Sequence, residues 1–228
     1  MTETQRPVQS SEVTITAGEV TLSGDLVIPQ ASCGLVVFVH GSGSSRFSSR
    51  NRYGAGVLIV GGLATLLFDL LTAEEHAIDQ YSREFRFDIA MLSERMIATI
   101  DWLGSEAAVK DLSIGLFGAS TGAAAALNAA AGRPDRIAAV VSRGGRPDLA
   151  MQSLPQVRSP TLLIVGGYDL QVIELNRQAE SALRAPCRTE IVAGATHLFE
   201  EPGTLEQVAA LARDWFRDYL GAGMPARE

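Results

Sequence analysis

Apolar and polar positions alternate in Val13-Thr14-Ile15 and again from Val20 to Ile28, on either side of Ala17-Gly18-Glu19. A period of two predicts an antiparallel hairpin with one face in solvent. The next apolar run, Leu35-Val36-Val37-Phe38-Val39, does not alternate, which is the pattern of a strand covered on both faces. From there helical and strand periods take turns. A helix is predicted near Asn51 to Gly62, a strand at Ala64 to Phe68, a helix from about Asp88 to Leu103 and a strand at Ser113 to Phe117. An Ala-rich helix follows from Ser120 to Ala131, then a strand at Ile137 to Val141, a strand at Thr161 to Val165 and a helix near Ile173 to Leu183. A strand at Arg188 to Val192 and a last helix from about Leu205 to Leu220 complete the series. Antiparallel strands followed by βα units predict an α/β fold: one mostly parallel sheet of about eight strands, with helices on both faces. Two segments interrupt the alternation, the acidic stretch Leu71 to Arg86 and the Arg-, Pro- and Asp-containing stretch Gly144 to Pro160. Both leave the carboxyl ends of strands, where ligands bind in such sheets. Residues 1–10 and 223–228 are expected to be flexible tails and residues 11–222 one domain.

Length supports that reading. A chain of 228 residues, 46% hydrophobic and 20% charged, suffices for one large domain that buries roughly 70–75% of its unfolded surface. The longest apolar stretch, Ala55 to Phe68, is 14 residues and contains Gly56, Gly61 and Gly62. That falls short of the ~18–20 residues of a membrane span, and reads as a buried helix turning into a buried strand. The polar start Met1-Thr-Glu-Thr-Gln-Arg-Pro7 has no apolar signal core, so a cytoplasmic location is expected. Net charge is −7, from 19 Lys+Arg against 26 Asp+Glu; neither nucleic acid nor a membrane is expected as a partner. With three histidines (His40, His76, His197) and two cysteines (Cys33, Cys187), neither a Cys/His zinc framework nor a disulfide scaffold can be assembled. No metal is expected.

The chemistry gathers at predicted strand ends. Gly118-Ala119-Ser120-Thr121-Gly122 matches G-x-S-x-G, the turn that lifts a serine hydroxyl above a sheet between a strand and a helix. In a chain with 22 glycines the letters alone are weak, but a strand leads into Gly118 and a helix starts at Thr121. The alternative is a plain β-to-α loop with Ser120 as helix N-cap. A serine nucleophile needs a base, and the base needs an orienting group. His197, in Gly194-Ala-Thr-His197 past the last predicted strand, stands where a base is required. Asp169, after Val165-Gly-Gly-Tyr, is the preferred acid, with Asp148 as competitor and an Asx turn as the alternative reading of Asp169. Ser120, Asp169 and His197 then follow the chain order of α/β-hydrolases. The oxyanion donors are expected to be the backbone N–H of Thr121, at a helix N-terminus, and that of Ser42 in His40-Gly-Ser-Gly-Ser-Ser. His40 would then be structural, behind the oxyanion loop.

Taken together, His40-Gly-Ser-Gly, Gly-Ala-Ser120-Thr-Gly, Gly-Gly-Tyr-Asp169 and Gly-Ala-Thr-His197 resemble the α/β-hydrolase superfamily. In particular they are similar to the compact dienelactone-hydrolase-like group, which has no large lid domain; the resemblance covers nearly all of residues 13–220. Dienelactone hydrolase itself uses a cysteine nucleophile, whereas this chain has Ser120. That difference shifts the expectation from dienelactones toward esters, thioesters or lactones in general, cleaved through an acyl-enzyme without a cofactor. Some bacterial proteins of this kind are fused to a phosphoribosyltransferase, which does not fix a substrate.

Several further features bear on substrate. Arg46, Arg50 and Arg52 follow the oxyanion loop, and Arg143 and Arg146 follow the sixth predicted strand. Arg46, Arg143 and Arg146 are candidate contacts for a carboxylate or phosphate on a small-molecule, ester-like substrate; pairing with Asp148, Glu74 or Glu75 is the competing reading. Leu71 to Arg86, with Tyr81, Phe85 and Phe87 nearby, could form a short cap or dock the next helix. Cys33 and Cys187 are read as packing residues. Two rivals stand beside the hydrolase: a non-catalytic small-molecule-binding protein on the same fold, and an NAD(P)-binding oxidoreductase suggested by Gly41-x-Gly43 with Asp69 at the next strand end. In the latter, Arg46 stands where a third glycine belongs. The oligomeric state is left open, a homodimer being one alternative.

Overall fold

Strands β1 (Val8–Ala17) and β2 (Val20–Pro29) form the expected hairpin in the computed structural model, which describes residues 8–221. Their register runs from Val8 opposite Pro29 to Ala17 opposite Val20. Val8, Gln9 and Ser10 are therefore paired strand, not tail, because Pro29, Ile28 and Val27 extend the partner that far. Residues 1–7 and 222–228, which hold the rest of the expected tails, lie outside the described residues.

The sheet continues with β3 (Leu35–Val39), β4 (Ala64–Phe68), β5 (Ile114–Ala119), β6 (Ile137–Arg143), β7 (Thr161–Gly166) and β8 (Cys187–Val192). Among the described residues its eight strands lie in the order β1-β2-β4-β3-β5-β6-β7-β8. β2 pairs antiparallel with β4, and every pair from β4 to β8 is parallel. All residues of β3, β4, β5 and β7 are buried, which accounts for their predominantly apolar, non-alternating sequences. Helices α1 (Ser49–Val60) and, last in the chain, α6 (Thr204–Leu220) cover one face through Ala55, Leu58, Val208, Ala212, Phe216 and Leu220. The others are α2 (Ala73–Ser82), α3 (Ile89–Leu103), α4 (Thr121–Gly132) and α5 (Leu170–Ala182). α3 and α4 pack on the opposite face, where Ala124 to Ala126, Ala129 and Ala130 are fully buried. Alanine combines high helix propensity with a side chain small enough to let α4 lie close to the strands. α1 is less buried than its glycine-broken apolar run suggests: Val60 is 89% exposed, since α1 turns only one side to the sheet.

β3 has β4 on one side and β5 on the other, so the chain reverses its winding direction there. A crevice opens at the carboxyl ends of strands on either side of such a switch. β3 leads into His40-Gly41-Ser42 and β5 into Ser120, which places both sequence motifs at this crevice. α4 starts so close to β3 that a methyl group at Gly122 would collide with the carbonyl oxygens of Val39 and His40. Backbone cannot swing aside as a side chain can. Gly122→Ala is expected to lower stability by about 1–3 kcal/mol, read as a reduced urea midpoint. Gly56→Ala, where nothing lies within 4 Å of the added methyl, is the control and should be neutral or stabilising. Equal midpoints for Gly122→Ala and the parent would contradict the packing.

Candidate active site

Ser120 joins β5 to α4 at φ 50° and ψ −123°, a strained conformation for a residue with a side chain. Backbone contacts hold it there: its N–H donates to Arg143 O (3.2 Å), and its carbonyl accepts from Ala123 N (3.1 Å) and Arg146 N (3.0 Å). A side chain at Gly118 would collide with the Ala123 backbone, and one at Gly41 would stand 3.0 Å from Ser120 Cβ. Gly118, like Gly122, is thus fixed by packing. Although Ser120 precedes α4, its side chain makes no capping hydrogen bond. The N-cap reading therefore fails, and the hydroxyl is left available.

His197 Nδ1 lies 2.6 Å from Asp169 Oδ2. Asp169 precedes α5 yet does not cap it with its side chain, so its carboxylate is aimed at the imidazole and not into an Asx turn. The competing Asp148 is held in a bidentate pair by Arg146, at 2.8 Å through each oxygen. The loops after β7 and β8 are knitted together by Gly167 N to Val192 O (2.8 Å) and Tyr168 N to Ala195 O (2.9 Å). Glu201 braces the histidine loop, accepting from the Thr196 hydroxyl (2.6 Å) and amide (3.1 Å). A Cβ at Gly144, just beyond β6, would stand 3.6 Å from His197 Cε1, which puts the ring beside the strand next to β5.

Across the crevice, the Ser42 N–H donates to Thr121 Oγ1 (2.9 Å). The two residues expected to supply oxyanion donors are therefore in direct contact, 79 positions apart in the chain. At rest the Ser42 amide is satisfied by that hydroxyl. Behind the loop, Leu70 N–H donates to His40 Nε2 (3.1 Å), which leaves the proton on Nδ1 to be donated to Gly41 O (3.0 Å). Both ring nitrogens hold backbone, as the structural reading of His40 requires. Burial drives the His40 pKa below the ordinary histidine value, outweighing the upward pull of the Gly41 bond and Asp69.

A pH dependence follows from that shift. Below about pH 6.5 the unfolded chain protonates His40 while the folded protein resists it. Stability from this group is full above that pH and declines as pH falls below it. The urea midpoint is expected to drop between pH 7 and 5, with a shallower slope in His40→Gln. Identical slopes would contradict the assignment.

The acidic excursion folds into α2, a helix that the sequence pattern above did not predict and whose sequence signal is the capping box of Thr72 and Glu75. Thr72 N donates to Glu75 Oε2 (2.9 Å) and Glu75 N to Thr72 Oγ1 (3.2 Å). Arg95 of α3 holds Glu75 at 2.5 and 2.7 Å, and its bonds keep the Glu75 carboxyl below its usual range. The turn after α2 is built on buried Asp79, which accepts from Phe85 N (2.9 Å), Arg86 N (3.0 Å) and Arg86 Nε (2.6 Å). Burial alone would raise the Asp79 pKa; these donors bring it below the ordinary value. Arg86 is thereby laid over Gly43, where an added Cβ would stand 2.9 Å from Arg86 Nη1. Arg86 and Asp79 are site-forming residues that the sequence reading did not single out. Tyr81 and Phe87 are largely exposed, at 90% and 57%. A cavity of about 320 Å³ lined by His40, Ser44, Arg46, Asp69, Thr72 and His76 lies on this side of the oxyanion loop.

The rim arginines separate sharply. Arg46 is not a free substrate contact: its guanidinium faces Glu12 (2.9 Å), Asp69 (3.3 Å) and Asp25 (3.6 Å). Asp69, the acid of the dinucleotide reading, also accepts from Arg46 N (2.8 Å). Arg146 is likewise engaged, with Asp148. Local carboxylates reach both more cheaply than a diffusing ligand could. Arg143 alone of the three makes no side-chain hydrogen bond or ion pair among the described residues. Of the cysteines, Cys33 donates weakly to Gly62 O (3.4 Å), and burial pushes the Cys187 thiol up to about 12, consistent with packing roles.

A model of the dienelactone hydrolase family matches residues 71–220. The chain belongs to the dienelactone hydrolase family. The crystal structure of a dienelactone hydrolase from Anabaena variabilis is 56% identical and superposes with a TM-score of 0.92, covering 93% of this chain and 98% of that one. Est1E from Butyrivibrio proteoclasticus shares the fold at 16% identity and a TM-score of 0.77, over 92% and 98% of the two chains. Two Mycobacterium tuberculosis proteins provisionally named phosphoribosyl transferases are 55% identical over 214 residues, which is 94% of this chain and 47% of theirs. The chain thus spans about half the length of these curated relatives. As a dienelactone hydrolase family member it has the α/β-hydrolase fold, and the matched segment includes Ser120, Asp169 and His197. No described helix is long and apolar enough to cross a membrane.

Proposed function

We propose that this domain is a cofactor-independent serine hydrolase that cleaves a small-molecule carboxylic ester, thioester or lactone in the cytoplasm. The observation that carries the reading is the 2.6 Å contact of His197 Nδ1 with Asp169 Oδ2, in a crevice where Ser120 is strained and its hydroxyl is not used for capping. Asp169 fixes the tautomer with the proton on Nδ1, leaving Nε2 as a base. Ser120 Oγ attacks the carbonyl carbon as His197 takes its proton. Negative charge then builds on the carbonyl oxygen, which accepts from the Thr121 N–H and displaces the Thr121 hydroxyl from the Ser42 N–H. As the tetrahedral species collapses, His197 returns the proton to the departing oxygen or sulfur, and the acyl group stays on Ser120. Water, deprotonated by the same imidazole, releases the acid and restores the serine.

The strain at Ser120 supports this assignment, since it aims a hydroxyl rather than stabilising a helix. Screening p-nitrophenyl esters, aryl thioesters and lactones is the test. Turnover of at least one class, with a rapid first release of p-nitrophenol where deacylation is slow, is the expected result. No turnover across the panel would count against the reading, and favour the non-catalytic binding protein.

A further inference from the structure

Arg143 ends β6 with its Cα opposite Ala119, one residue before Ser120, and its carbonyl receives the Ser120 N–H. The next residue, Gly144, lies against the His197 backbone and ring. Side chains alternate along a strand, so Arg143 shares its face with Ala139 and Val141, which belong to the layer under α1 and α6. It stands at the top of that layer, its guanidinium carbon 5.9 Å from the Phe117 ring centre. This position lies between the serine turn and the histidine loop.

A partly buried guanidinium has five N–H donors and a permanent charge, and leaving it without a partner is costly. Arg143 has no hydrogen-bond or salt-bridge partner among the described residues. Burial, and then the like charge of Arg50, push its pKa down to about 10. Arg50, in the first turn of α1, has a single carboxylate contact, with Glu200 at 3.4 Å, and its Nε is buried without a partner. Glu200 is itself largely exposed. The two guanidiniums thus have one solvated carboxylate between them as a direct contact. Arg46 and Arg146, by contrast, are neutralised where they stand. An incoming oxyanion supplies what the protein omits, because guanidinium matches a carboxylate or phosphate in charge and in fork geometry.

We infer that Arg143, with Arg50 beside it, is an oxyanion subsite that holds a carboxylate or phosphate group on the substrate while its ester faces Ser120. This deepens the hydrolase reading and rests on it for the identity of the reacting bond. Anion binding itself does not depend on catalysis, so the two can fail separately.

The test uses the full chain and three variants, Arg143→Gln, Arg143→Lys and Arg50→Gln. Thermal midpoints are followed in sodium phosphate and in sodium glutarate against sodium chloride of equal ionic strength. In parallel, kcat/KM is compared for p-nitrophenyl hexanoate and mono-p-nitrophenyl adipate, whose acyl chains end in methyl and carboxylate. The unsubstituted protein should gain a few degrees from at least one anion, as any ligand specific for the folded state produces. It should also favour an anionic ester. Arg143→Gln should abolish the midpoint gain and cut the adipate-to-hexanoate ratio about 10- to 100-fold; Arg143→Lys should recover part of both, and Arg50→Gln should weaken both. A response to phosphate alone, with none to glutarate and a ratio near one, identifies a phosphate ligand; the reverse identifies a carboxylate.

Absence of any midpoint gain in the unsubstituted protein, together with equal kcat/KM for the two esters, would overturn the inference. So would a gain that survives Arg143→Gln, or an Arg143→Gln that lowers the ligand-free midpoint while the ester ratio stays unchanged, which marks a purely structural side chain. Labelling of Ser120 by a neutral fluorophosphonate, read in the same samples, keeps the readings apart. Labelling without an anion response rejects the subsite alone, and an anion response without labelling rejects the hydrolase while the subsite stands.

Discussion

Replacing Ser120 by alanine is expected to lower kcat by about 10⁴–10⁶-fold while leaving the thermal midpoint unchanged or slightly raised. The loss is large because, in the proposed mechanism, this hydroxyl is the attacking group. Thr121 cannot substitute, because its hydroxyl points across the crevice to the Ser42 amide. The fold should not notice the change. Alanine keeps the Cβ around which Gly41 packs, and the removed oxygen makes no capping bond. Weak catalysis by the oxyanion donors should remain, as it does when a nucleophile alone is deleted. Residual kcat above a few per cent of the parent would place the nucleophile elsewhere.

His197→Ala is the second large effect, a loss of about 10⁴-fold or more in kcat. The chain has only two other histidines. Both nitrogens of His40 are bound to backbone, through Leu70 N and Gly41 O, and His76 lines the cavity on the cap side. Neither can take over. Because the His197 side chain is 38% exposed, its removal leaves a gap open to solvent, and added imidazole should restore part of the activity. The same imidazole should do nothing for Ser120→Ala. Asp169→Asn should lose activity through the wrong tautomer, by about 10⁴-fold, and should resist rescue because the histidine is still present. Rescue of all three alike would contradict the division of roles.

How much of this was legible in the sequence follows from the physics of each element. Strand β3 carries a five-residue apolar run and β4 one interrupted only by Thr65, the pattern of two-sided burial, and their limits are readable to the residue. Strands β5 and β6 run two residues further than their apolar runs suggest, through Gly118-Ala119 and Ser142-Arg143. Sheet pairing extends to where the site begins, whereas hydropathy stops where the site's polar residues start. Glycine-flanked Ser120 and the strand-end positions of Asp169 and His197 were readable, because each belongs to a local pattern. The choice between Asp169 and Asp148 was not. It depends on Arg146 sitting two residues from Asp148 and capturing it, a contact for which the sequence offers candidates but no decision.

Arginine partners were the least legible part. Arg46 reaches Glu12 and Asp25 in the N-terminal hairpin and Asp69 at the end of β4, long-range contacts that exist only once the sheet order is fixed. α2 was hidden for a different reason. Its ten residues bury only Asp79, so it has almost no apolar stripe to read, and its order comes from the Thr72–Glu75 capping box and the Arg86 and Arg95 ion pairs instead.

The central claim is that Ser120 is a nucleophile activated by His197 and Asp169. Incubation with a neutral alkyl fluorophosphonate, followed by intact-mass measurement and peptide mapping, tests it most directly. One phosphonyl increment per chain, located on Ser120, absent in Ser120→Ala and greatly slowed in His197→Ala, is the predicted result. An unlabelled parent protein, or an increment on any other residue, would contradict it.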